Sequence, residues 1–498
     1  MVDSPLCSGY CLLSSKMTSA LTWTRIGSGL KAELRPLLQL AGPVVLAELG
    51  WMTMGLVDLV MVGRVGAEAI GAVGIGGTLF FTIALFGIGL LLGLDYTVAH
   101  AFGAGRLDDA HAWLVQALYL AVWTALPGIV LVQWGIPKLE AVGVRPEVLQ
   151  QAIAYGRALS WSLLPLLLLT AVRRYLQAIG VVKPIMLAVL SANFINVAAN
   201  WVLIFGHLGF AARGAEGAGW ATCVSRLYMA LCFFGYLLFY DRRHQTGLLA
   251  TSLRVDGVRM RRLVALGWPA AIQTSLECGV FAAATALAGR LAPAALAAHQ
   301  IALTAASFTF MVPLGVSAAG AVRVGQALGR REPHAAERSG WTALLVGAVF
   351  MMCAGLGFVL FPSAILRVFT PQEAVISVGT SLLLVAAIFQ LFDGVQVVAT
   401  GVLRGTGDTR TPMLSNLAGH WLLGLPVGYA LCFVWGWGVT GLWVGLCLGL
   451  IAVALVLLWV WSLRVHVLAE EYATTGQDEG RTMRRPAPAA PAPKGVVL

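Results

Sequence analysis

Five acidic residues stand inside long apolar stretches: Glu48, Asp58, Asp95, Glu277 and Asp393. A charge at the middle of a bilayer costs about 2.5–3.5 kcal/mol on insertion scales, so a carboxylate kept there is expected to have a chemical task. The task open to it is to hold and release a cation. Hard cations take oxygen donors, and burial disfavours the charged form of a carboxylate, so a proton competes for the same oxygen. Asp58 sits in "GLVDLVMVGRVG", and the stretch "SANFINVAANWVLIFG" adds Asn193, Asn196 and Asn200. Asn196 and Asn200 are one helical turn apart and share a face. They could supply neutral oxygens beside Asp58 for H⁺ or Na⁺, or simply join helices by hydrogen bonds. Asp58 could instead pair with Arg64, Glu277 and Asp393 could bond neighbouring helices, and Asp95 lies near the end of its segment, where a structural role competes. Glu48 precedes Asp58 by ten residues, about 80° around a helix, so it could line the same cavity or miss it. His299 and His420 read as packing or hydrogen-bonding residues.

The elements that must position these groups are set by composition. The 498 residues are 59% hydrophobic and 11% charged, against about 25% charged for soluble domains. With a mean hydropathy of +0.83, most of the chain belongs in lipid. Apolar runs broken by Gly, Pro and charge predict twelve spans, at 36–62, 68–102, 110–135, 147–178, 183–206, 215–240, 260–289, 294–328, 334–361, 375–404, 410–435 and 437–463. The runs are continuous and do not alternate, which argues against a β-barrel. The fold class expected is an all-α integral membrane protein.

Lys and Arg set the orientation. With the N-terminus inside, 25 of the 33 basic residues fall on inner segments and six on outer loops. Both termini are therefore expected in the cytoplasm, as in a multi-pass protein of a bacterial inner membrane. The net charge of +10 is read as basic loops, since no aromatic-basic interleaving points to nucleic acid. Residues 1–35 form a leader without a signal-peptide pattern, Met17 is an alternative start, and 464–498 reads as a disordered tail ending "RRPAPAAPAPKGVVL". Cys7 and Cys11 lie in the leader, and the other six cysteines are scattered in apolar segments as small hydrophobes. No nucleophile elbow, phosphate loop or HExxH pattern is present in the sequence. This excludes the common enzyme signatures, and neither a metal nor a cofactor is expected beyond the H⁺ or Na⁺ that the acids could hold. An ATP-driven process would need a separate ATPase subunit.

Laying Pro43 on Pro269 brings the two halves into one register without a gap from Pro43 to Gly103, and "YLQAIGVVKPIM" resembles "VLRGTGDTRTPM" at nearly the same shift. In that register Gly89 meets Gly315, and "VGRVGAEAIGAVGI" meets "AGRLAPAALAAHQI". Each half holds six spans, so the duplication is parallel, about an axis along the membrane normal. This gives an N-lobe at 36–240, a cytoplasmic linker at 241–259 and a C-lobe at 260–463: two pseudo-symmetric six-helix bundles around a central cleft. Gly63-Arg64 recurs at Gly289-Arg290 and reads as scaffold. The acids do not recur: Asp58 aligns with Ala284, Glu277 with Trp51 and Asp95 with Ala321. Each lobe is therefore expected to hold its own chemistry.

The ordered set "GLVDLVMVGRVG", "AFGAG", "AAHQIAL", "VPLGVSAAGAVRVGQALG" and "GVLRGTGDTRTPM" resembles the multidrug and toxic-compound extrusion (MATE) transporters, nearest the NorM-like branch, over roughly 36–463. The resemblance implies secondary active export of amphipathic, often cationic small molecules in antiport with H⁺ or Na⁺ by alternating access. By position, Asp58, Asn196 and Asn200 resemble the family's N-lobe cation site, with Thr222 of "GWATCVS" joining them. Glu277 and Asp393 resemble its C-lobe substrate and cation acids, and Gln396 lies one turn from Asp393. Glu48 and Asp95 stay as possible cavity acids. The chain departs from the pattern at Asn200, where some relatives carry a second acid, and at Phe389, where a Tyr hydroxyl could help hold Na⁺. It departs again at Glu48, where Gln is frequent, and at His100, where the second half has Gln326. The rival expectation is a flippase or exporter for a lipid-linked precursor or conjugated metabolite, for which Arg157 and Arg226 are the candidate anion contacts.

Overall fold

The computed structural model describes residues 23–142 and 146–483. The expectations placed on Cys7, Cys11, Met17 and the Pro/Ala-rich end fall outside these residues. Among the described residues every regular element is helical.

The first half comprises α1 (Trp23–Gly63), α2 (Ala67–Leu91), α3 (Leu94–Gly103), α4 (Leu107–Gly135), α5 (Pro146–Ser160), α6 (Leu163–Ala178), α7 (Lys183–Phe205) and α8 (Gly214–His244). The second comprises α9 (Gly257–Ala288), α10 (Pro293–Gly329), α11 (Pro333–Leu360), the short α12 (Pro362–Phe369), α13 (Glu373–Gly405), α14 (Arg410–Val434) and α15 (Gly438–Met483). Among the described residues eleven helical spans are long and apolar enough to cross a bilayer, and α5 with α6 makes a twelfth.

Four predicted spans differ from what is observed. The stretch 147–178 is not one helix: α5 and α6 meet at a 42° bend. Ser160 and Ser162 bond back to the carbonyls of Arg157 and Leu159 there, satisfying backbone groups at the break. The stretch 68–102 divides at Leu92–Gly93, where a Cβ on Gly93 would lie 3.0 Å from the Leu263 carbonyl. α1 starts before residue 36. α15 runs past 463 into the expected tail, because helix formers such as Ala469, Glu470 and Glu471 carry the helix beyond the apolar run.

The duplication is visible in the backbone. Gly105 and Arg331, counterparts in the register of the repeat, both take left-handed φ (72° and 61°), as do Gly180 and Gly407 (84° and 86°). The same turn follows the first two: Arg106 N–H bonds the Ala101 carbonyl, and Glu332 N–H bonds that of Ala327.

The lobes meet through matched residues. Gly89 packs on Ala271 and Gly315 on Val45, and these positions are each other's counterparts in the repeat. Gly103 packs on Gln326 and Gly329 on the carbonyl of His100, again across matched segments. A Cβ at any of these glycines would collide with the facing chain, so small residues permit close helix approach. These contacts lie on the parts of α1, α2, α3, α9 and α10 nearest the linker. Farther along α1, the neighbours of Gly50 and Asp58 belong to its own lobe. The lobes are thus joined at the linker end and part toward the other.

Candidate functional site

Asp58 lies on α1, beyond the interlobe contacts. Its Oδ1 accepts hydrogen bonds from Asn196 Nδ2 (3.0 Å) and Asn200 Nδ2 (2.6 Å), both on α7. Its Oδ2 accepts one from Thr222 Oγ1 on α8 (3.0 Å). Asn200 also donates to Asn196 Oδ1 (3.1 Å). Both Asn side chains are fully buried, and Asn200 Oδ1 has no partner. Three helices therefore converge on one carboxylate through neutral groups. Turning the amides about their last torsion would swing oxygens toward a bound cation. Arg64 makes no ion pair with Asp58 among the described residues. Asn193 stands apart, donating to the Gly50 and Val189 carbonyls, and joins α7 to α1.

One turn along α8 from Thr222 is Arg226, which the sequence reading gave only to the rival function. Its Nη1 donates to Ser162 Oγ (2.5 Å), its guanidinium lies 4.9 Å from the Phe80 ring centre, and its buried Nε has no partner. It makes no ion pair among the described residues, and Asp58 lies within its electrostatic reach.

The C-lobe set forms a second cluster. Glu277 Oε2 on α9 accepts from Gln273 Nε2 (3.2 Å), and Gln396 of α13 lies against it. Asp393, 6% exposed, is within electrostatic reach of Glu277, so two carboxylates share the site. Along one face of α13 run Asp393, Gln396, Thr400 and Arg404. Gln396 and Thr400 are buried, with side-chain polar atoms lacking partners. Phe389, one turn before Asp393, packs on Phe281 and Trp443 and offers no oxygen there.

Glu48 and Asp95 join neither cluster. Glu48 is ion-paired to Arg173 of α6 within the N-lobe. Asp95, 2% exposed on α3, pairs with Arg404 across the lobe interface (2.9 Å) and with Arg174 of its own lobe (3.6 Å). Glu48 is thus paired within one lobe and Asp95 between the two. A second interlobe pair joins Glu33 to Arg323, with Ser339 Oγ donating to Glu33 at 3.1 Å. The sequence reading counted Arg173, Arg174 and Arg404 among the inner basic residues, although each lies inside a predicted span. The missed signal was that Arg404 shares a face with Asp393. His299 accepts from Trp443 Nε1 (3.0 Å) and bonds Thr285 (2.9 Å), in keeping with a packing role. No cluster of His, Cys, Asp and Glu able to hold a metal occurs among the described residues.

The MatE family model matches residues 43–202 and 269–430, so the two matches begin at the counterparts Pro43 and Pro269. The probable multidrug resistance protein NorM of Mesorhizobium japonicum (strain LMG 29417 / CECT 9101 / MAFF 303099) is 37% identical over 444 residues, covering 88% of this chain and 95% of the relative. The multidrug resistance protein NorM of Burkholderia vietnamiensis is 35% identical, covering 86% and 94%. The eukaryotic MATE transporter AtDTX14 superimposes with a TM-score of 0.79 at 21% identity, over 89% of this chain and all of that one. A multidrug resistance MATE family transporter of the MOP superfamily, solved in an outward-facing conformation, gives 0.78 at 19% identity, over 88% and 96%.

Proposed function

The chain belongs to the MatE family of multi-pass membrane transporters, and on that premise we propose that it exports amphipathic organic cations in antiport with H⁺ or Na⁺. The observation that carries this reading is the Asp58 carboxylate, held inside an apolar span by three neutral donors and without an ion-pair partner among the described residues. A carboxylate so placed gains from a small cation.

The way the lobes meet supports alternating access. With the linker end closed by Asp95–Arg404 and Glu33–Arg323, the cleft faces away from the linker. If the basic loops lie in the cytoplasm, this is the state that releases substrate and takes up the coupling cation. Cation binding at Asp58, and at the Glu277–Asp393 pair, discharges the cleft. The substrate leaves, the lobes rock, and the linker end opens. Exchange requires only that cation and substrate favour different states.

The rival reading, export of an anionic lipid-linked or conjugated compound, relied on Arg157 and Arg226. Arg157 is exposed on α5, which leaves only the half-buried Arg226 of the two candidates and makes that reading the weaker. The deciding experiment is efflux of an ethidium-like dye from proteoliposomes under separate H⁺ and Na⁺ gradients. Dye should move against at least one of them. Movement under neither gradient, with the protein folded, would refute cation antiport.

A further inference from the structure

We infer that the linker end of the C-lobe carries a binding site for a phosphate group, built by Arg262, Arg410 and Arg464. The three come from far apart in the chain: the start of α9, the start of α14, and α15 where it leaves the apolar span. They line one cavity of about 460 Å³, a size within the range of small-molecule sites. None of them makes an ion pair or a side-chain hydrogen bond among the described residues, and the buried Nε of Arg464 has no partner. Three guanidinium groups facing one space repel each other, and an isolated one prefers either water or an oxyanion.

The acid lining the cavity does not serve them. Asp408 Oδ1 accepts from Thr411 N–H (3.0 Å) and its Oδ2 from Thr411 Oγ1 (2.7 Å), so both oxygens cap the start of α14. Thr409 adds a buried hydroxyl to the wall. The wall is thus rich in donors and poor in acceptors, which suits a tetrahedral oxyanion. The site lies at the linker-side ends of the apolar spans α9 and α15, and basic pockets between span ends are the kind that hold anionic headgroups. Tyr96 closes the cavity from the N-lobe, its ring packed on Gly407. A ligand seated here touches both lobes and favours the arrangement in which they are joined at this end. The inference is independent of which cation the transporter uses.

The test uses full-length protein in detergent. Native mass spectrometry would measure retention of phosphatidylglycerol against phosphatidylcholine, and a thermal-shift titration would follow inorganic phosphate. The variant is Arg262→Gln/Arg410→Gln/Arg464→Gln. Its control is Arg242→Gln/Arg243→Gln/Arg254→Gln, which removes the same charge from exposed positions outside the cavity. Wild type and control should bind alike, and the cavity variant about 100-fold more weakly, at about fivefold per arginine. Selective loss of phosphatidylglycerol identifies a lipid headgroup as the ligand, and loss of the phosphate shift identifies the free ion. Equal binding by both triple variants, or no binding by wild type to either probe, would overturn the inference. Both variants must retain the elution volume of wild type. A cavity variant that does not is replaced by Arg464→Gln alone, judged by the same comparison.

Discussion

Replacing Asp58 by Asn tests the N-lobe site without removing an atom from the packing. In the present arrangement Oδ1 receives two amide donors and Oδ2 one hydroxyl. Asparagine keeps the oxygen that faces Asn196 and Asn200. Its new amide can donate to Thr222 Oγ1, which then donates to the Ala218 carbonyl (3.0 Å). The geometry therefore survives and the charge does not. Three charge-assisted hydrogen bonds become neutral ones, a loss of about 1 kcal/mol each. Against this stands the cost of keeping a charge in the membrane, about 2.5–3.5 kcal/mol. The two nearly cancel, so stability should change by about 1 kcal/mol or less, read as a thermal midpoint within a few degrees of wild type. Dye efflux driven by either cation gradient should fall to the level of protein-free liposomes. Efflux at the wild-type rate would show that Asp58 does not carry the coupling cation. A variant that fails to fold would refute the cancellation and make Asp58 a structural residue.

Three further perturbations discriminate among the other acids. Asp95→Asn leaves Arg404 and Arg174 side by side without their carboxylate. Removing one partner of a buried pair costs about 3–5 kcal/mol, here in the joined state alone, so spin labels at positions 106 and 330 should report longer distances at the linker end; an unchanged distribution refutes the latch. Glu48→Gln breaks the pair with Arg173 inside one lobe and should lower the thermal midpoint while leaving the number of cations exchanged per dye unaltered, whereas a lower ratio would return Glu48 to the coupling machinery. Glu277→Gln keeps a side chain that can bond Gln273 and removes the charge from the C-lobe cluster, so dye efflux under either gradient should fall while the thermal midpoint stays within a few degrees of wild type; efflux at the wild-type rate would take Glu277 out of the coupling site.

Much of the scaffold was legible in the sequence because lipid leaves the backbone few choices. Twelve apolar runs, a repeat at a nearly constant shift and the bias of Lys and Arg are all one-dimensional signals. The Asp58 cluster was partly legible for the same reason: Asn196 and Asn200 share a helical face, and a polar face in lipid needs a partner. Side-chain partners across helices were less so. Nothing in the spacing of Glu48 and Arg173, 125 residues apart, or of Asp95 and Arg404, 309 apart, announces a pair. Such pairs depend on which long side chains of α1 and α6, and of α3 and α13, the folded bundle brings within reach. The bend between α5 and α6 was hidden because serines that satisfy a broken turn look like serines in an intact one. The cavity of Arg262, Arg410 and Arg464 was hidden because basic residues at span ends are expected on topological grounds alone.

The symmetry of the scaffold and the asymmetry of the acids bear on how the two lobes communicate. The lobes touch through counterpart positions, Gly89 with Ala271 and Gly315 with Val45, so a rocking motion can pivot there without preferring either lobe. Preference must come from groups without a counterpart. Arg404 is such a group, since its position in the first half is Gln177 or Ala178 in the registers the repeat allows. It is held by Asp95 of the other lobe and lies within electrostatic reach of Glu277 in its own. The charge on Glu277 therefore enters the balance that holds Arg404 to Asp95. The N-lobe has no equivalent route, because Arg226, the guanidinium within reach of Asp58, bonds Ser162 of its own lobe. The C-lobe acids are therefore placed to bias the closure between lobes, while the Asp58 cluster acts within one.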